Sequence, residues 1–209
     1  MSPDTRFWNR LAERYAAKPI ANPKAYERKL ALTRAELSPE QTLLDVGCGT
    51  GSLALELAGS VAHVHALDVS EEMLRIAEHK QQAQGVTNVT WHVRPLDRNL
   101  PFDEGSFGCV CAFNILHLVD DRQGVLQALY RLLAPGGRFV SSTPCLGDSR
   151  LPLGAMIAVM RWFGKAPHVW RFNREELLRE FADAGFVDAR TADVGAKATT
   201  AFVIARKPS

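Results

Sequence analysis

The stretch from Leu43 to Ser70, LLDVGCGTGSLALELAGSVAHVHALDVS, decides how the rest of this 209-residue chain is organised. It begins with a short apolar run that alternates too little for a half-exposed strand, as expected where helices cover both faces of a sheet. Three glycines follow at every second position, Gly47, Gly49 and Gly51. Without Cβ atoms, a turn built on them can adopt positive φ and let a ligand lie against the backbone. The pattern therefore predicts a strand, a ligand-binding turn and a helix.

The next predicted strand runs from Val64 to Asp68 and ends at that carboxylate. An acid at this place can accept hydrogen bonds from ribose hydroxyls, as in dinucleotide sites about 20 residues past the glycines. The dinucleotide fingerprint G-x-G-x-x-G is not met, because Ser52 stands where its third glycine would be. Asp45 would sit badly beside a pyrophosphate but well beside a cationic amino acid group. A ligand with an ammonium, a sulfonium and a ribose fits both acids, and this describes S-adenosylmethionine.

The run Asp45 to Gly51, followed by Asp68, resembles motifs I and II of the class I S-adenosylmethionine-dependent methyltransferases. The resemblance implies a Rossmann-like α/β fold, with a seven-stranded, mostly parallel sheet, an antiparallel last strand and helices on both faces. It also implies that the glycine loop contacts the methionine part of S-adenosyl-L-methionine and that Asp68 binds the ribose. The cofactor contacts that it implies are Asp45, Gly47, Cys48, Gly49, Gly51, Asp68, Val69, Met73, Leu96, Asp97 and Asn114.

The residue that meets the adenine is left open between Leu96 and Asp97. In the resembling family an acid commonly follows the third strand, and counting back from Leu100 puts Leu96 at that position. Either Asp97 serves after a shift of one residue, or Leu96 contributes only backbone and apolar contact. Met73 stands where the family rests its adenine ring, and a plain core methionine is the alternative.

Composition and charge favour one globular α/β domain. The chain is 46% apolar and 23% charged, and its 25 basic and 23 acidic residues are interspersed, for a net charge of +2. No nucleic-acid partner is required by such a balance. The charged N-terminus is unlike a signal peptide, and no apolar run reaches the roughly 18 residues of a membrane span. We therefore expect a cytoplasmic protein that does not span a membrane.

The four cysteines, Cys48, Cys109, Cys111 and Cys145, have neither metal-ligand spacing nor the pattern of a disulfide framework. We expect free thiols and no metal site. The single domain, residues 1–209, divides into four predicted parts. These are a helical cap (1–40), a cofactor-binding core (41–143), a substrate-lid insertion (144–172), and a C-terminal helix with closing strands (173–209).

The insertion gives the strongest indication of the acceptor. The segment Leu151 to Gly164 is apolar nearly all round, and Trp170 follows it. In the resembling family this region forms the substrate lid, so the side chains favour a hydrophobic or aromatic small-molecule acceptor. A buried helix or a homodimer surface is the alternative interpretation. The side chains concerned are Met156, Met160, Trp162, Phe163 and Trp170.

Methyl transfer from a sulfonium is an in-line displacement that depends mainly on positioning, so no catalytic triad is expected. A general base is needed only if the acceptor must lose a proton. His117, His168 and Tyr15 are the candidates, in that order, since an unperturbed histidine titrates near pH 6.5. A structural role at the start of a helix is the alternative for His117, and core packing is the alternative for Tyr15.

Three other functions are alternatives to this one. A nucleic-acid methyltransferase is a poorer interpretation, because Asn114-Ile115-Leu116 lacks the Pro-Pro-aromatic run of adenine-amino enzymes and Pro144-Cys145 follows the wrong strand for a cytosine enzyme. A regulatory protein that keeps the cofactor fold without catalysis is the main alternative, indicated only by Leu96. An NAD-dependent oxidoreductase is the third.

Overall fold

The computed structural model describes residues 3–149 and 167–209. The α-helices there are α1 (Pro3–Ala16), α2 (Pro23–Arg34), α3 (Ser52–Leu57), α4 (Glu71–Gln84), α5 (Arg122–Leu132) and α6 (Arg174–Asp183). The strands are β1 (Thr42–Val46), β2 (His63–Asp68), β3 (Val89–Val93), β4 (Phe107–Phe113), β5 (Leu133–Pro144), β6 (Val187–Thr191) and β7 (Thr200–Arg206).

The strands form one seven-stranded sheet in the order β3-β2-β1-β4-β5-β7-β6. All neighbouring pairs are parallel except those of β7, which runs antiparallel to both β5 and β6. The predicted Rossmann-like fold is therefore confirmed. The order of the strands reverses between β1 and β4, and in such sheets ligands bind outside the carboxyl ends of the strands at this point.

Helices cover both faces of the sheet, and each face has its own core. Alternate residues of a strand point to opposite faces, so Leu44 and Val46 of β1 join one cluster while Leu43 joins the other. The first cluster includes Leu126 and Leu129 of α5. This double coverage explains why β1 is apolar at nearly every position, and it makes the buried acid within it, Asp45, an exception.

Two helices beside the crevice begin at side-chain caps. The Ser70 hydroxyl accepts a hydrogen bond from the Met73 N–H at 3.2 Å, which fixes the start of α4 directly after β2. Asn173 and Glu176 form a reciprocal capping box at the start of α6. Such caps satisfy amide groups that have no partner within the helix, so they define where the helices begin.

The apolar segment Leu151–Gly164, with Met156, Met160, Trp162 and Phe163, lies outside the described residues. The predicted lid and the alternative homodimer surface depend mainly on this segment. All four cysteines are free thiols. Within residues 3–149 and 167–209, no helix combines the length and the apolar character needed to cross a membrane.

Candidate active site

A cleft of about 930 Å³ lies at the carboxyl ends of β1 to β5. Most of the residues singled out from the sequence meet on its wall. Those that line it are Tyr15, Gly47, Gly49, Asp68, Val69, Met73, Leu96, Asp97, Asn114, His117 and His168. Asp45, Cys48 and Gly51 are part of the described structure but do not line the cleft.

The three alternate glycines all have positive φ, at 68°, 54° and 73°, but they face different surroundings. A Cβ atom on Gly47 would lie 2.6 Å from Ile115, and one on Gly51 would lie 2.5 Å from the Trp91 ring. Around Gly49 the nearest atom would be on the Tyr15 ring, at 3.8 Å. Packing therefore requires glycine at positions 47 and 51, whereas Gly49 borders open space in the cleft.

Asp68 connects the end of β2 to the glycine loop. Its carboxylate accepts hydrogen bonds from the Gly49 N–H and the Ser70 N–H, both at 2.9 Å. A carboxylate offers about four acceptor positions, so capacity remains for a ligand in the cleft. Burial raises the pKa of Asp68, and the hydrogen bonds from the backbone oppose that change.

Asp45 lies beneath the glycine loop in the middle of the sheet, with its residue only 1% exposed. Its Oδ2 atom has no hydrogen-bond partner within the described part of the chain. Burial, together with the nearby Asp68 carboxylate, raises the pKa of Asp45 to about 8. The acid is therefore mostly protonated at neutral pH.

Helix α1 covers the cleft and contributes Asp4, Trp8 and Tyr15 to its wall. Its polar contacts with α4 and the cap of α4 include a hydrogen bond from the Ser70 hydroxyl to Asn9 at 2.6 Å and an ion pair between Glu13 and Arg75. Trp8 was missed as a site residue, although its spacing of seven from Tyr15 puts both on one helical face.

Leu96 and Asp97 both line the end of the cleft beside β3. The Asp97 carboxylate accepts a hydrogen bond from the Asn99 N–H at 2.7 Å, so it also stabilises its own turn. Leu96 packs against the core. Neither contact decides which of the two meets the adenine, and that prediction remains open.

Asn114 and His117 form the wall beyond β4. Asn114 adopts a φ of 56°, a left-handed conformation that asparagine tolerates better than most residues. His117 lies in a short 3₁₀ turn, Leu116–Leu118, and its Nδ1 is buried without a partner among the described residues. Burial lowers the pKa of His117 to about 4, so the imidazole is neutral at physiological pH and can exchange a hydrogen bond with a ligand.

A small cluster, Asp120, His168 and Trp170, closes this end of the cleft. The Trp170 indole N–H donates to the Asp120 carboxylate at 3.1 Å, and His168 Nδ1 lies 3.4 Å from the same oxygen. The Trp170 backbone N–H donates to the carbonyl oxygen of His117 at 2.8 Å. The cluster therefore positions both predicted histidines. Asp120 was missed because nothing in the sequence places it opposite residues fifty positions away.

No group of three or more histidine, cysteine or acidic side chains in the described ranges is arranged to hold a metal ion. His65 of β2 and His92 of β3 form a pair in which His65 Nδ1 lies 2.9 Å from His92 Nε2. Neither residue lines the cleft.

Comparison with known proteins agrees with this geometry. Residues 43–137 match a family model described as a methyltransferase domain. The chain is 33% identical over 181 residues to a demethylmenaquinone methyltransferase of Geobacillus kaustophilus, with 77% of each protein covered. It is also 30% identical over 202 residues to the protein of that name from Desulfitobacterium hafniense, covering 87% of this chain and 79% of the relative.

Solved structures share the fold at lower identity. A phosphoethanolamine N-methyltransferase 2 of Haemonchus contortus, in complex with phosphomonomethylethanolamine and S-adenosylhomocysteine, superposes with a TM-score of 0.74 at 19% identity. The match covers 88% of this chain and 53% of that one. A methyltransferase-like protein from Bacillus halodurans gives a TM-score of 0.70 at 16% identity, with 90% and 100% covered.

Proposed function

Since this chain belongs to the class I S-adenosylmethionine-dependent methyltransferases, we propose that it methylates a hydrophobic aromatic acceptor of quinone type in its reduced, hydroxyl-bearing form. The chain is an enzyme, its methyl donor is S-adenosyl-L-methionine, and its acceptor is a small molecule. The relatives named for demethylmenaquinone support the acceptor class. Neither a regulatory role nor nicotinamide chemistry is favoured.

The cleft fits the donor at its glycine-loop end. The ribose hydroxyls would donate hydrogen bonds to the free acceptor positions of the Asp68 carboxylate, and the open space over Gly49 would take the methionine part. Met73, Leu96 and Asp97 border the region assigned to the adenine. Val69 would contribute its backbone beside the ribose, and Asn114 would lie near the transferred methyl. When bound, the donor supplies an electrophilic methyl group on a sulfonium.

The chemistry of the transfer favours a reduced acceptor. A sulfonium methyl needs an electron-rich partner. A quinone ring becomes electron-rich when its carbonyl groups are reduced to hydroxyl groups. The new bond forms at an oxygen or ring carbon of the acceptor while the carbon–sulfur bond breaks and leaves its electron pair on a neutral thioether. The acceptor then loses one proton. Holding the two partners in line can lower the barrier by roughly 7 to 11 kcal/mol.

His117 carries this proposal. Its buried Nδ1 has no partner within the described residues, and the neighbouring apolar residues Ile115, Leu118 and Val119 line the same cleft. A neutral imidazole there can accept a hydrogen bond from an acceptor hydroxyl and orient the ring. Because its pKa is about 4, it is a weak base, and this suits an acidic phenolic hydroxyl better than an alkyl alcohol.

The acceptor class can be tested with tritiated S-adenosylmethionine and purified protein. We expect label in a reduced 1,4-dihydroxynaphthalene that carries an apolar side chain, and none in phosphoethanolamine. Label in phosphoethanolamine alone would contradict the aromatic acceptor. Binding of S-adenosylhomocysteine without transfer to either compound would support the regulatory alternative.

The role of His117 is tested by His117→Gln. We expect the turnover number with the dihydroxynaphthalene to fall by at least about tenfold while the affinity for S-adenosylhomocysteine stays within about twofold. His79, exposed on α4, provides the control variant His79→Gln, which should keep full turnover. Full turnover by His117→Gln would exclude His117 from the reaction.

A further inference from the structure

Asp45 is a buried acid that the wall of the cleft does not use. Strand pairing places it level with Ala66 of β2 and Cys111 of β4, in the centre of the sheet. Its Oδ2 atom has no partner among residues 3–149 and 167–209. The hydroxyl of Tyr26 on α2, whose pKa the nearby Asp45 helps to raise, is also buried and without a partner in the same ranges.

Among residues 3–149 and 167–209, no cation acts on Asp45. Asp68 at the end of β2 acts on it directly. The other titratable groups near it or near Tyr26 come from five elements: Tyr15 of α1, Tyr26 and Arg34 of α2, Cys48 of the glycine loop, Glu56 of α3, and Cys111 of β4. Arg34 does not supply the missing charge, because its guanidinium is hydrogen-bonded to Glu56 at 3.0 Å. The pKa of Tyr26 is raised to about 12, and both thiols also have raised pKa values, so these groups are neutral.

An ionised carboxylate in such a place lacks any compensating charge. Removing a carboxylate from water costs several kcal/mol unless a cation or hydrogen bonds replace the solvent. A buried acid without such partners binds a proton instead. Asp45 lies two residues before Gly47, which lines the cleft. A cation that enters the cleft would therefore act electrostatically on Asp45 without contacting it.

We propose that Asp45 holds a proton in the free protein and releases it to solvent when the cationic methionine end of S-adenosylmethionine enters the cleft. The O–H bond of the carboxyl group breaks, and the remaining carboxylate balances the charge of the bound cation. The donor carries an ammonium and a sulfonium, and in the free protein the charge that acts on Asp45 is the negative charge of Asp68. The proposal rests on the identity of the cofactor and not on that of the acceptor.

Proton release gives cofactor affinity a defined pH dependence. While Asp45 is protonated in the free protein and ionised in the complex, affinity rises by up to about tenfold per pH unit. Between pH 6.0 and 7.5 the amino group of the cofactor itself stays largely protonated, since α-amino groups titrate near 8. The pH dependence of cofactor affinity in this interval therefore arises from the protein and not from the cofactor.

Titration calorimetry with S-adenosylmethionine at pH 7, in phosphate and in Tris, counts the released protons. These buffers differ in ionisation enthalpy, so the difference in observed heat gives the number directly. We expect about one proton per cofactor bound. Asp45→Asn should bind with no release and with affinity independent of pH, because the amide copies the neutral acid and cannot ionise.

Asp120→Asn is the matched control, since it removes a carboxylate from the other end of the same cleft and should leave the proton count unchanged. Binding by the wild type without proton release, or equal release by Asp45→Asn, would overturn the proposal. If Asp45→Asn does not fold, the binding heats of the wild type in the two buffers still show whether a proton is released. Absence of any binding heat at all pH values would contradict the cofactor assignment itself, which separates the two failures.

Discussion

The two ends of the cleft are built in different ways. At the end assigned to the cofactor, Asp45 to Met73 form one continuous stretch whose geometry is set by backbone hydrogen bonds and glycine conformations. At the end assigned to the acceptor, the wall comes from separate segments after β4, at the end of β5 and at 167–169. There, side chains such as Asp120 and Trp170 hold the segments together.

This difference explains why one end of the cleft identifies the cofactor and the other end determines the substrate. A turn that must hold a common cofactor needs particular backbone conformations, and few residues other than glycine adopt positive φ without strain. An acceptor wall needs only a suitable shape and a few polar groups, and many sequences provide these. Function is therefore recognisable from the first end, while substrate choice depends on the second.

The largest effect is expected from Gly49→Val. A branched side chain would occupy the space between the loop and Tyr15, where no protein atom now lies within 3.8 Å of the added Cβ. We expect the affinity for S-adenosylhomocysteine to fall by more than about 100-fold, or about 2.8 kcal/mol. Calorimetry would measure the loss.

Gly59 gives the control, because nothing lies within 4 Å of a Cβ added there. Gly59→Val should bind the ligand normally. Gly51→Val, by contrast, would meet the Trp91 ring and should lower the free energy of unfolding. Near wild-type affinity in a folded Gly49→Val protein would mean that the cofactor does not lie along this loop.

The contrast between a continuous segment and separate segments also determines which site residues could be predicted from the sequence. The strand, the glycine turn and the acid at Asp68 lie within 28 residues, so local patterns suffice to place them. Asp45 was predicted to contact the cofactor, and the structure buries its side chain in the centre of the sheet, so that contact stays a prediction. Asp120 and Trp8 could not be assigned to the site in advance, since their positions depend on how distant elements pack.

Each end also contains a buried neutral group, and the two groups predict opposite pH effects on stability. His117 has a pKa of about 4 when folded, below its unfolded value, so its contribution is present above pH 6.5 and is lost as the pH falls towards 4. Asp45 has a pKa of about 8 when folded, above its unfolded value, so its contribution is present below pH 3.8 and is lost as the pH rises towards 8.

Urea unfolding of the cofactor-free protein from pH 4.5 to 8 would test this contrast. Relative to the wild type, His117→Gln should gain stability as the pH falls, and Asp45→Asn should gain it as the pH rises. Each gain is at most about 1.4 kcal/mol per pH unit. His79→Gln should follow the wild type throughout. Parallel curves for all four proteins would show that folding changes the pKa of neither buried group.

The smallest effect is expected from Trp170→Phe. The change removes the indole N–H that donates to Asp120 but keeps an aromatic ring and the backbone hydrogen bond to His117. Because Asp120 is exposed to solvent, the lost bond is worth only about 0.5 to 1 kcal/mol. We expect the KM for the aromatic acceptor to rise by about two- to fivefold, with unchanged affinity for S-adenosylhomocysteine, in steady-state and calorimetric measurements.

Trp91→Phe is the matching change at the other end. Its indole N–H donates to Gln81 at 2.6 Å, and its ring packs against Gly51 beneath the loop. Losing this bond should weaken cofactor binding slightly and leave the acceptor KM unchanged. If both variants altered the same parameter, the two ends of the cleft would not act separately. If Trp170→Phe changed only the acceptor KM and Trp91→Phe changed only the cofactor affinity, cofactor and acceptor would be held by independent walls.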